Sequence, residues 1–89
     1  MIYGVYAMRD ALSGFLTPTI EQNDAIAVRN FRHAVLSRDS VLFSASKDFD
    51  ICKLGTFDTL TGHLESLSAP ESLCTALQIH VQEVERNDV

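Results

Sequence analysis

Asp10-Ala11-Leu12-Ser13-Gly14-Phe15-Leu16 and Asp58-Thr59-Leu60-Thr61-Gly62-His63-Leu64 are one pattern written twice, Asp-x-Leu-(Ser/Thr)-Gly-x-Leu. Asp at the head of a short loop accepts backbone N–H bonds, and Ser or Thr does so more weakly. Gly at the end takes the left-handed conformation that a tight reversal needs. Each copy lies between strand-like runs, so each reads as a five-residue hairpin connection. Duplication and convergent turn chemistry both account for the repeat. Either way Asp10, Gly14, Asp58 and Gly62 are shape-giving residues, and two hairpins imply an antiparallel sheet.

Working outward from the first turn, residues 2–8 form a strand with apolar residues on both faces. Such a strand is covered on both sides, or on one side by a partner chain. Phe15-Leu16-Thr17 returns from the turn as a second strand, and Pro18 confines it to an edge or ends it because proline brings no ladder donor. Asn23 or Asp24 then caps a helix over residues 25–36. Its Ala27, Val28, Phe31, Ala34 and Val35 make one apolar stripe, with Arg29 and His33 opposite and Arg32 on the flank. Residues 41–45 read as a short strand.

Outward from the second turn, residues 48–57 form a strand in which Gly55 marks a bulge or close packing, and residues 63–67 return. Ser68-Ala69-Pro70-Glu71 fits a capping box with Pro just inside a helix, which would bury Leu73, Ala76, Leu77, Val81 and Val84. Leu77, Ile79 and Val81 also alternate as in a strand, so residues 72–84 admit either reading; the cap favours helix. The fold class is α+β: a small antiparallel sheet of four to five strands built from two hairpins, packed with one or two helices.

The chain has 89 residues, of which 46% are hydrophobic and 21% charged. That length allows one core, assigned to residues 1–84, with residues 85–89 a frayed tail. So small a core, together with the doubly apolar first strand, predicts homo-oligomerisation. The net charge of −5 is uneven: residues 1–64 carry −1 and residues 65–89 carry −4. Strong phosphate neutralisation is disfavoured overall, while a local basic patch is allowed. Cys52 and Cys74 read as reduced thiols. No run approaches the roughly 18 apolar residues of a membrane span, and charge at Arg9 and Asp10 comes too early for a secretory leader. A cytoplasmic location is expected.

Catalytic signatures are absent, and no cofactor is expected. No strand-to-helix nucleophile elbow surrounds Ser13 or Ser40, and His33, His63 and His80 lie in three separate elements without a local ligand pair. Asp48, Asp50 and Asp58 would meet near one end of a hairpin, as a cation site or as a solvated face that protects an edge. The constellation suited to nucleic acid is Arg29, Arg32 and His33 on the helix, with Arg9 and Tyr3 or Tyr6 from the first strand. Arginine pairs phosphate in bidentate fashion and tyrosine stacks on an unpaired base. A solvated helix face is the competing explanation.

The ordered series Val5-Tyr6-Ala7-Met8-Arg9-Asp10, Gly14-Phe15, Asn23-Asp24-Ala25, Ala27-Val28-Arg29-Asn30-Phe31, Asp48-Phe49-Asp50, Leu54-Gly55-x-Phe57-Asp58 and Gly62 resembles the small nonstructural protein of the Microviridae, especially the gokushovirus branch of single-stranded DNA phages. The resemblance covers residues 3–70. It implies a non-enzymatic accessory protein of genome replication in the host cytoplasm, which binds single-stranded DNA or phage and host replication proteins. A protein-interaction or regulatory module without nucleic-acid binding is the alternative. No catalytic residue is carried over. Among the matched positions, Phe31, Phe49 and Phe57 suit the core, Asp10 and Asp58 head the turns, and Arg9 and Arg29 suit phosphate.

Overall fold

The computed structural model describes residues 1–87. In chain order it contains β1 (Ile2–Asp10), β2 (Gly14–Phe15), β3 (Thr19–Glu21), α1 (Asp24–Val35), α2 (Val41–Ser44), a 3-10 turn (Ser46–Asp48), β4 (Phe49–Asp58), β5 (Leu64–Thr75) and α3 (Ala76–Asn87). The sheet is antiparallel with order β2-β1-β4-β5, and β3 pairs with the same edge of β1 further along. The α+β class and the five-stranded sheet agree with the sequence reading.

Both repeated turns close as their chemistry requires. The Asp10 carboxylate accepts from the Leu12 N–H at 3.0 Å and from the Ser13 hydroxyl at 3.0 Å. The Asp58 carboxylate accepts from the Leu60 N–H at 2.9 Å. Gly14 and Gly62 adopt φ of 99° and 77°, where a Cβ would be strained. The returning strand after the first turn is brief. Past Phe15 only the Leu16 N–H reaches β1, donating to the Met8 carbonyl at 2.8 Å, and Pro18 interrupts the ladder before β3 resumes it.

Helix α1 begins where Asn23 caps it, its side chain accepting from the Ile26 N–H at 2.9 Å. Ala27, Phe31 and Val35 are buried against the sheet. Around them a single cluster gathers Tyr6 of β1, Leu42 of α2, Phe49 and Ile51 of β4, and Ala76 and Ile79 of α3. Gly55 lies at a register shift between β4 and β5, and a Cβ there would meet the Glu65 carbonyl, so the bulge and the close packing coincide.

Two expectations are corrected. Residues 41–44 form one helical turn instead of a strand. The Ser40 hydroxyl accepts from the Leu42 N–H at 3.0 Å, and the turn buries Leu42 while leaving Val41 outside. Tertiary burial overrides the β propensity of an isolated valine. Residues 68–71 do not start a helix either; they lie within β5, which runs 12 residues along a 10-residue partner. Strand β5 is an edge, where Pro70 is tolerated. The functioning cap lies seven residues further on: the Thr75 hydroxyl accepts from the Gln78 N–H at 3.1 Å, and the Gln78 side chain accepts from the Thr75 N–H at 2.9 Å. Residues 72–75 are therefore strand and the rest of the disputed segment is helix. Helix α3 includes residues 85–87 of the expected tail; residues 88 and 89 lie outside the described residues.

Candidate functional site

The six residues suited to nucleic acid are dispersed by this fold, and one of them is turned inward. Tyr6 is fully buried, and its hydroxyl donates to the Asp24 carboxylate at 2.6 Å. The same Asp24 oxygen receives the Lys53 ammonium at 3.1 Å. Gly4 creates the room, because a Cβ there would collide with the phenol ring of Tyr6. Burial and then the Asp24 carboxylate push the Tyr6 hydroxyl far above its ordinary value, while the Tyr6 hydrogen bond and Lys53 hold Asp24 below its own. Tyr6 cannot stack on a base without leaving the core. Of the two tyrosines, only Tyr3, half-buried opposite Phe57, stays at the surface.

Arg9 is likewise committed. It lies directly across from Asp50 in the β1–β4 register and forms a two-pronged pair with it, Nε at 3.1 Å and Nη2 at 2.6 Å. Asp50 is only 8% exposed and also accepts from the Ser72 hydroxyl at 2.7 Å and from the Cys52 thiol at 3.5 Å. Burial would raise the Asp50 carboxyl, but Arg9, Ser72 and Cys52 together outweigh it and hold it low. Burial, reinforced by that carboxylate, pushes the Cys52 thiol up to about 11 and leaves it unreactive near neutrality. The Arg9 guanidinium also lies over the Phe15 ring, 5.6 Å from its centre. These contacts satisfy a buried charge, as a fold requires.

On α1 the basic residues separate. Arg32 reaches α3, with Nη1 at 3.2 Å from the Gln82 side chain and Nη2 at 3.8 Å from Glu83. Arg29 and His33, four residues apart on the outer side, are exposed. Asp48, Asp50 and Asp58 do not meet: Asp50 and Asp58 sit at opposite ends of β4, about 25 Å apart at strand rise. Among the described residues, no group of three His, Cys, Asp or Glu is placed to hold a metal. His80 instead stacks on Phe43 at 4.9 Å.

Sequence reasoning missed Asp24, Lys53 and Ser72 as partners, although Asp24 lies inside one of the recognised segments. It also missed how much apolar surface stays outside. Leu12 and Leu60 are 84% and 87% exposed, and Leu77, Val81 and Val84 form an outward stripe on α3. No helix among the described residues is long and apolar enough to cross a membrane.

No curated protein and no solved structure matches the chain. A family model described as phage ORF5 protein does match, over residues 3–79, so it takes in all five strands, α1, α2 and the start of α3. The Tyr6–Asp24 and Arg9–Asp50 pairs, the two turns and the cap of α3 all lie within the matched residues. The chain therefore belongs to the phage ORF5 protein family.

Proposed function

We propose that this phage protein is a non-enzymatic accessory of genome replication that works by contacting a protein of the replication machinery, not by gripping single-stranded DNA. The placement in replication, in the host cytoplasm, rests on the resemblance to the small nonstructural proteins of single-stranded DNA phages. One observation carries the choice of partner. Of the arginines and tyrosines suited to DNA, Arg9 pairs with the buried Asp50, Tyr6 is itself buried and bonded to Asp24, and Arg32 bridges to α3, while large apolar side chains stand in solvent. A phosphate-binding face needs several convergent cations, and Arg29 with His33 is too little in a chain of net charge −5. Exposed apolar patches, by contrast, mark protein contacts.

The test is titration of labelled single-stranded DNA at about 20 mM salt, where electrostatic attraction is least screened. No saturable complex is expected at micromolar protein. A complex that weakens steeply with salt and is lost in Arg29→Ala/His33→Ala would overturn the reading and establish direct DNA binding through α1.

A further inference from the structure

The sheet has a second apolar face that the core does not use. Side chains alternate across a strand, and the cluster shared with the helices takes Tyr6 from β1 and Phe49 and Ile51 from β4. Tyr3 and Val5 therefore point the other way, and the register carries that side across the sheet. Tyr3 lies opposite Phe57, and Phe57 opposite Leu64. Ile20 lies opposite Val5, Val5 opposite Gly55, and Gly55 opposite Ser66. Two cross-strand rows thus run side by side on the face away from the helices. The first is bulky. The second dips at Gly55, where a hollow of about 220 Å³ is walled by Val5, Pro18, Leu54 and Leu64. Tyr3, Val5 and Phe57 are only half-buried there, and Ile20 and Leu64 are exposed.

Charge, shape and area together say what covers this face. The two rows hold no charged side chain in a chain of net charge −5. Further along the same face Arg9 and Asp50 neutralise each other. Glu21, Glu65 and Glu71 alternate to the helix side, opposite Gly4, Thr56 and Lys53. Two copies can therefore meet here without opposing their like charges. A bulky row beside a hollow row is also self-complementary. A two-fold axis between the rows lays the bulky row of each copy over the hollow row of the other. Finally, the chain exposes 5963 Å², against about 5,200 Å² expected for a monomer of its 9.9 kDa. That surplus approaches the about 800 Å² that each partner of a standard interface buries.

We infer that this open face packs on the same face of a second copy about a two-fold axis, giving a closed dimer whose two sheets are stacked face to face. One patch serves both copies, so the assembly stops at two chains. The inference goes beyond the proposed function and does not depend on which replication protein is bound. Leu12, Leu60 and the outward stripe of α3 lie outside the two rows and stay available to that partner.

Light scattering on the purified chain tests it. The wild type is expected to reach twice the 9.9 kDa of one chain at high micromolar concentration and to grow no further. Leu64→Glu changes an exposed position, and the two-fold repeats the change in each half of the interface. It raises the dimer Kd about a hundredfold or more, the loss of two buried leucines. Ile20→Lys, exposed in the other row, does the same and takes its place if Leu64→Glu loses its cooperative thermal transition. Val81→Glu, on the outward stripe of α3, dimerises like the wild type. A wild type of 9.9 kDa throughout, growth beyond two chains, or folded Leu64→Glu and Ile20→Lys chains that dimerise normally overturns the inference. Dissociation by Val81→Glu alone overturns it too, and moves the contact to α3.

Discussion

Asp50 shows how a single buried charge organises its surroundings. Burial alone would raise its carboxyl, and three donors from β1, β4 and β5 outweigh that and hold it low. Removing one donor while the charge stays is the costly change. Arg9→Met should lower unfolding free energy by about 3 kcal/mol at pH 7, read from urea titrations. The pH dependence carries a definite sign. In the wild type the folded carboxyl is held below the unfolded value of about 3.9, so its stabilising contribution is present above that value and is lost as pH falls through the folded one. In Arg9→Met burial dominates and the carboxyl rises. The stability gap between the two proteins should therefore be widest near neutrality and shrink as the pH falls from the variant's raised carboxyl value, above about 3.9, to the wild type's lowered one. A gap independent of pH would mean that Arg9 acts through packing alone.

Among the elements, α3 separates a cap that merely fits a pattern from one that functions. Ser68 and Glu71 have the right spacing, but both lie within β5, Glu71 opposite Lys53 and Ser68 in the stretch where the register with β4 shifts. Thr75 and Gln78 exchange both bonds of a capping box at the point where β5 leaves the sheet. Thr75→Ala should cost about 1 kcal/mol, whereas Ser68→Ala should stay within about 0.5 kcal/mol. Thermal midpoints of the two variants check this. Helix α1 needed no such correction, because its cap, apolar stripe and end are local signals that agree with one another. The one-turn helix α2 was hidden because four residues carry no period, and only the burial of Leu42 selects the conformation.

Across the whole molecule, one cluster draws side chains from β1, α1, α2, β4 and α3, and no subset of these elements closes it. The chain should therefore unfold as one cooperative unit, with far-ultraviolet dichroism and tyrosine fluorescence following the same denaturant curve. Truncation after Thr75 removes Ala76 and Ile79 from the core and Gln82 and Glu83 from Arg32. The truncated chain should show no cooperative transition. Survival of a sharp transition would show that α3 is an appendage.

What the residues determined unaided is what their neighbours in the chain could enforce. Asp10, Gly14, Asp58 and Gly62 needed only a few adjacent backbone groups to make two turns, and Asn23 with the 27-31-35 stripe needed only a helical period. The Asp-x-Leu-(Ser/Thr)-Gly-x-Leu pattern was thus enough for hairpins and an antiparallel sheet, and the helical stripe added to it gives the α+β class. The tertiary structure alone decided which residues were free to act. Arg9 and Tyr6 have the chemistry of a nucleic-acid contact, and nothing in their local sequence says otherwise. Register placed Arg9 across from Asp50, and the packing of α1 on β1 brought Asp24 to the hydroxyl of Tyr6. Those partners are 41 and 18 residues away in the chain. Pairing across such separations is set by strand register and core packing, which local pattern does not encode, and so the same residue types changed from candidate ligands to structural pairs.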